Sequence, residues 1–130
     1  MLAEKLEQKS CKQKIHLFKK YYKYAKKLIY KKIKEAIKKG DSEAYEHNWT
    51  WYISKKVSFD ILISIDNKLK EELINEGFYI RKYQFGQSIE PFECTIAWGD
   101  KIEYHKKLDA YQEKMIKEKL EKDKEKKGGN

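Results

Sequence analysis

The longest regular pattern in the chain covers residues 12–39, where apolar side chains recur three and four residues apart. This spacing places them on one side of an α-helix. Gly40 follows, and a left-handed glycine is a common way for a helix to end. The segment 2–11 is also compatible with a helix, which leaves an earlier start open. The apolar positions are Ile15, Phe18, Tyr22, Ala25, Ile29, Ile33 and Ala36.

The opposite side of this helix is almost entirely lysine. Residues 1–40 hold 14 Lys and 3 acids, residues 41–100 hold 6 basic and 11 acidic residues, and residues 101–130 hold 10 basic and 7 acidic residues. The formal net charge of +9 therefore comes mainly from the N-terminal helix. We call the following set the lysine face: Lys19, Lys20, Lys23, Lys26, Lys27, Lys31 and Lys34.

The lysine face has several interpretations. It is a solvated surface, a nucleic-acid surface that contacts phosphates, or a docking surface for an acidic protein. A lysine-rich amphipathic helix can also lie on a membrane surface. Arg81 is the only arginine, and reading guanine favours arginine. Any nucleic-acid binding by this face is therefore expected to be non-specific.

The middle of the chain predicts a small sheet with one inserted helix. Residues 57–65 alternate apolar and polar side chains like a strand with one buried side. A helix starting at Asp66 or Asn67 follows, with Leu69, Leu73 and Ile74 as its apolar positions, and it ends at Gly77. Residues 78–83 and 92–98 alternate again and predict two more strands, joined by a turn over 86–91.

The two segments that flank this region are less regular. Residues 44–54 fit both a strand and a helix, and we favour helix or irregular structure over 42–48 and extended chain after it. Gly99 and Asp100 break the third strand and begin a C-terminal helix. Beyond Leu120 the chain has no apolar residue, so residues 121–130 are predicted to be a charged tail. The apolar stripe of that helix is Tyr104, Leu108, Tyr111, Met115 and Ile116.

Together these elements predict a single α+β domain over residues 1–120. Its parts are a basic amphipathic helix (1–40), a sheet core (41–100) and a C-terminal helix (101–120). The sheet is small, three-stranded and mostly antiparallel, and long N- and C-terminal helices flank it. The chain has no run of about 18 apolar residues, so no membrane span is expected. No apolar region follows the N-terminal residues, so no signal peptide is expected either.

The sequence contains no recognised catalytic motif. It has no phosphate-binding glycine loop and no nucleophile elbow. Cys11 and Cys94 stand far apart, either as reduced thiols or as a disulfide that joins the first helix to the core. No metal-ligand spacing occurs, so we expect no metal and no cofactor. A Glu93/Cys94/His105 arrangement is conceivable but has no oxyanion element, and the chain is predicted not to be an enzyme.

The predicted second strand carries an aromatic and basic set on one side, Tyr79, Arg81 and Tyr83. Aromatic rings beside a cation on a sheet stack nucleic-acid bases in single-strand binders. The same residue types are also enriched at protein interfaces. We therefore treat these three residues as candidates for a protein interface.

Residues 66–98 resemble small α+β proteins of tailed bacteriophages and prophages. The resemblance lies in Leu69-x-x-x-Leu73-Ile74-x-x-Gly77-Phe78-x-Ile80, in a hairpin that ends Thr95-Ile96-Ala97-Trp98, and in the basic helix that ends at Gly40. It implies a viral source and a non-enzymatic role, in the cytoplasm of an infected bacterial cell or in a virion. The expected function is binding to a protein partner or to a second copy, and the alternative is non-specific nucleic-acid binding by the lysine face.

Overall fold

The computed structural model describes residues 1–46, 49–85 and 88–128, and the side chains of residues 51–52, 83–92 and 127–128 lie outside that description. The elements are α1 (Leu2–Lys38), β1 (Glu43–Glu46), α2 (Trp49–Ile53), α3 (Phe59–Asn75), β2 (Tyr79–Phe85), β3 (Ser88–Ala97) and α4 (Lys101–Gly128). Long helices at both ends flank a three-stranded antiparallel sheet, so the predicted α+β class is confirmed.

Helix α1 begins earlier than its regular pattern, at Leu2, and it ends as the glycine predicts. The Gly40 N–H donates to the Ile37 carbonyl and the Asp41 N–H donates to the Ala36 carbonyl, both at 2.9 Å. These two bonds form a Schellman motif, which needs the positive φ of 81° that Gly40 adopts. With 37 residues, α1 is about 55 Å long.

The sheet has the order β1-β3-β2, so β3 is central and pairs with both neighbours in antiparallel fashion. Ala44, Ile96 and Ile80 lie side by side across it, and this side packs against α1 and α3 in one hydrophobic core. Directly opposite residues of paired strands share a side of the sheet. Tyr45, Thr95 and Arg81 therefore occupy the other side, where α4 begins. The molecule has three layers: α1 with α3, the sheet, and the start of α4.

The predicted strand over residues 57–65 is wrong. Residues 59–65 are the first half of α3, which runs without a break through the helix predicted to start at Asp66 or Asn67. Alternation was misleading because all five odd positions from 57 to 65 are apolar and all even positions except Leu62 are polar, so the segment fits period two as well as the helical spacing. The buried apolar positions are spaced by one, three and four residues, as on one side of a helix: Ile61, Leu62, Ile65, Leu69 and Leu73. Ile74, expected among them, is 56% exposed.

The prediction for residues 42–54 is also reversed. Strand β1 comes first, and the helical turn α2 follows it. The Ser42 carbonyl accepts a hydrogen bond of 3.0 Å from the Trp98 N–H, so this residue continues the sheet. A four-residue strand with two acids has almost no sequence signal, and its pairing with β3 decides its conformation. His47 and Asn48 lie outside the described residues.

The remaining elements follow the predictions more closely. Strand β2 starts at Tyr79 and β3 ends at Ala97, each within one residue of the predicted boundary. The turn predicted over 86–91 is wrong, because β3 already starts at Ser88, which pairs with Phe85 of β2. The Phe78 N–H donates to the Leu73 carbonyl at 3.0 Å, which completes the glycine-ended helix predicted at Gly77. Helix α4 continues to Gly128, so most of the segment predicted as a charged tail is helical and exposed.

Candidate functional site

The outer side of α1 is an extended, positively charged surface among the described residues. Lys26 is partly buried, and the other residues of the lysine face are exposed. Five of them follow one another at three or four residues along the helix, and we call these five the outer row: Lys20, Lys23, Lys27, Lys31 and Lys34. At a rise of 1.5 Å per residue the outer row is about 21 Å long. Lys19 lies beside it, nearer the core.

The inner side of α1 fixes the direction in which the outer row points. Ala25, Ile29 and Ile33 are buried in the core that α1 shares with α3 and the sheet. Residues a full turn apart lie on the same side of a helix, and the lysines of the outer row are on the opposite side. Burial of three apolar residues therefore holds the row toward solvent.

A second contact between α1 and α3 is polar and aromatic. Lys26 Nζ lies 3.4 Å from Glu72 Oε2. The same atom lies 6.0 Å from the ring centroid of Tyr22 and 5.9 Å from that of Tyr30. Lys68 Nζ lies 4.9 Å from the centroid of Tyr22. The Tyr22 hydroxyl, followed by the Lys26 and Lys68 ammonium groups, holds the pKa of the Glu72 carboxyl below its ordinary value of 4.5. Lys26 is therefore used in packing α1 on α3, unlike the outer row.

The Glu72 cluster gives a pH dependence with a defined sign. A carboxyl whose pKa is lowered in the folded state stabilises the fold above its ordinary pKa and loses that contribution as pH falls. We expect Glu72→Gln to lower the urea midpoint at pH 7 and to have little effect near pH 3. Urea titrations of the wild type and the variant at pH 7 and pH 3 measure the difference between their urea midpoints. A difference at pH 3 as large as at pH 7 would contradict the prediction.

The other flank of α1 has a buried acid. Lys32 Nζ lies 3.3 Å from Glu46 Oε2, and Glu46 is only 1% exposed at the end of β1. The Trp49 N–H donates to Glu46 Oε1 at 3.0 Å, so this carboxylate also caps the start of α2. This pairing was not predicted from the sequence, because strand β1 was not predicted.

The acids that contact α1 are thus placed at its two flanks. Glu72 pairs with Lys26 and Glu46 pairs with Lys32. Within the part of the chain that the structure describes, no lysine of the outer row forms an ion pair. The positive charge of the row is therefore left uncompensated along one side of the molecule.

The structure places the candidate interface residues of β2 against α4. The Tyr79 hydroxyl donates to Asp109 Oδ2, and Arg81 Nε donates to Asp109 Oδ1 at 2.9 Å. Burial, with the hydrogen bond to Asp109 as a second cause, raises the pKa of Tyr79 to about 12. These two side chains hold α4 on the sheet rather than forming an open stacking surface. The side chain of Tyr83 lies outside the described residues.

A second polar contact holds the first turns of α4. Glu43 Oε2 accepts a hydrogen bond from His105, which is 5% exposed. Glu43 Oε1 lies 3.8 Å from Lys101 Nζ. Glu103 lies only two residues before His105 in the sequence, yet the partner of this histidine is Glu43 on β1, far away in the chain. Only the tertiary fold brings Glu43 and His105 together.

The chemistry of the cysteines is limited by where they lie. Cys11 and Cys94 are both free, so the alternative of a disulfide between them is not realised. Burial raises the pKa of the Cys94 thiol to about 11, which makes it a poor nucleophile. Cys94 faces the α1 and α3 layer, whereas His105 lies on the opposite side of the sheet, so the Glu93/Cys94/His105 arrangement does not form.

Two kinds of feature are absent from the described residues. No described helix is both long and apolar enough to cross a membrane. In the same residues no group of three or more histidine, cysteine or acidic side chains is placed to hold a metal ion.

Comparison with known proteins also returned nothing: no protein-family model, curated protein or solved structure matches this chain. The phage resemblance of residues 66–98 therefore gains no support from it.

Proposed function

We propose that this chain is a non-catalytic protein that binds nucleic acid without sequence preference, through contacts between phosphates and the outer row of α1. The observation that carries the proposal is the one-sided charge of α1. Its outer row is exposed and has no described acid paired with it, whereas Glu72 and Glu46 pair with Lys26 and Lys32.

The spacing of the outer row suits a regular polyanion. Successive lysines are separated by about 4.5 to 6 Å along the helix axis. Duplex DNA presents a negative charge about every 1.7 Å of its axis, so phosphates are available along the whole row. A rigid helix presents these charges without ordering a flexible segment on binding, which lowers the entropic cost of association.

The type of side chain argues against sequence reading. Lysine is a point charge, whereas bidentate recognition of guanine or phosphate favours the planar guanidinium of arginine. Arg81 is occupied by Asp109 on the other side of the sheet. The affinity is therefore expected to depend on charge and salt, and hardly on base sequence.

The expected protein-binding role through Tyr79, Arg81 and Tyr83 is less well supported, because Tyr79 and Arg81 contact Asp109 within the chain. We keep the phage or prophage setting as part of the proposal, since an infected cell and a virion both hold abundant nucleic acid. The binding test does not depend on that setting.

A salt-series titration tests the proposal. Fluorescence anisotropy of labelled random-sequence duplex DNA is measured with the full chain at several salt concentrations. With five phosphate contacts, log K is expected to fall against log salt with a slope of about −4.5. Two duplexes of different sequence should bind equally. No binding at about 50 mM salt, where phosphate contacts are strong, would contradict the proposal.

A further inference from the structure

Most of helix α4 extends beyond the body of the protein. The hydrogen bonds and ion pairs that join its described residues to the sheet are made by Lys101, His105 and Asp109, all in its first turns. Every residue from 110 to 126 is exposed. This distal part of the helix is about 26 Å long. Because the distal part is exposed, it contributes little to the core, and its side chains are available to bind another molecule.

An apolar stripe runs along α4 from its docked turns into its distal part. It consists of Tyr104, Leu108, Tyr111 and Met115, which are four, three and four residues apart. Tyr104, Tyr111 and Met115 are 52%, 61% and 49% exposed. The spacing is that of the a and d positions of a coiled coil, where each apolar side chain packs against a facing helix. We call these four residues the α4 stripe.

The charges beside the α4 stripe are mainly positive. Lys107 and Lys114 take the g positions that precede Leu108 and Met115, and Lys119 takes an e position on the other border. Glu118 continues the line of the stripe and is the one acid close to it before residue 120. Other acids of this segment, such as Glu103 and Glu113, fall on other sides of the helix at about 100° per residue.

These charges disfavour a second copy of the chain as the occupant. In a parallel pair of α4 helices, Lys114 of one copy would face Lys119 of the other, since a g position faces the following e position. Like charges at these positions oppose pairing. A helix with the same apolar spacing but with acids at its e and g positions would instead meet each of these lysines with an opposite charge.

We propose that the α4 stripe binds an acidic amphipathic helix of another protein. The apolar side chains supply the contact area, and Lys107, Lys114 and Lys119 select for acidic flanks. The proposal is independent of nucleic-acid binding by α1, because it uses another helix and an apolar surface rather than a row of charges. Such a partner would add a second binding surface to the molecule.

The probe is a peptide of three heptads with Leu at a and d and Glu at e and g, and its comparator has Lys at e and g. Binding of each to the full chain is measured by isothermal titration calorimetry. We expect the Glu peptide to bind and the Lys peptide not to bind. The double variant Tyr111→Ser with Met115→Ser should weaken binding of the Glu peptide at least about tenfold. These exposed side chains supply contact area for the peptide and are not part of the protein's core.

The control variant is Lys106→Ser with Lys117→Ser, on the side of α4 away from the stripe, and it should bind as the wild type does. Lys107→Glu with Lys114→Glu should shift the preference toward the Lys peptide. Absence of Glu-peptide binding, or equal binding by the Tyr111/Met115 variant, would overturn the proposal. A dimer in analytical ultracentrifugation that this variant dissociates would overturn it as well, by making a second copy the occupant.

Discussion

Replacement of Lys23 and Lys27 by glutamate is expected to lower the affinity for duplex DNA by about 100-fold at 100 mM salt. Each phosphate contact contributes about 0.9 decades of affinity between 0.1 M and 1 M salt, so two lost contacts account for about two decades. Both residues are exposed in the middle of the outer row. The fold itself should be unaffected, since neither side chain contributes to the core.

The salt dependence distinguishes a lost contact from a general loss of charge. The slope of log K against log salt should decrease in magnitude by about 1.8 in the Lys23/Lys27 variant. The matched control is Lys55→Glu with Lys56→Glu, which lies in the exposed turn after α2 and changes the net charge by the same amount. Equal losses of affinity in both variants would show that the outer row has no special role.

Leu62→Ala is expected to destabilise the fold by about 2–5 kcal/mol, the range for a buried leucine. Leu62 is 5% exposed and packs in the core that joins α1, α3 and the sheet. A loss of this size is a large fraction of the total stability of a small domain. Chemical denaturation monitored by circular dichroism measures the change in the free energy of unfolding.

Phe59→Ala is the variant to compare with Leu62→Ala. It should lower the free energy of unfolding by less than about 1 kcal/mol, as most surface substitutions do. Phe59 is 61% exposed at the first position of α3. A strand over residues 57–65 would reverse the order, because Phe59 would share the buried side with Ile61 and Ile65 while Leu62 faced solvent. A larger loss for Phe59 than for Leu62 would therefore contradict the helix.

The same comparison explains why the sequence misled over residues 57–65. The odd positions there are all apolar, so period two fits as well as the helical period, and length alone did not separate a strand from the first turns of a helix. What identifies the helix is its continuity with Leu69 and Leu73, which share one side with Leu62 and Ile65 only if those two residues are already helical. Strand β1 was missed for the opposite reason, since its four residues have too few apolar side chains to form a pattern.

The candidate site was only partly predictable. The side of α1 on which a lysine lies follows from helical spacing, which is a local property. Whether a lysine forms an ion pair depends on where the acids lie. Glu72 and Glu46 come close to Lys26 and Lys32 only in the folded chain. The attachment of Tyr79 and Arg81 to Asp109 depends in the same way on the docking of α4.

By itself, the sequence determined α1 and its end at Gly40, the end of α3 at Gly77, and the boundaries of β2 and β3 next to Phe78 and Trp98. These features depend on spacing and backbone conformation within a few residues, where local energies dominate. The tertiary structure alone decided which strand completes the sheet, which side of the sheet each polar residue occupies, and which lysines are neutralised. Those outcomes depend on contacts between residues far apart in the chain, whose energies no local pattern records.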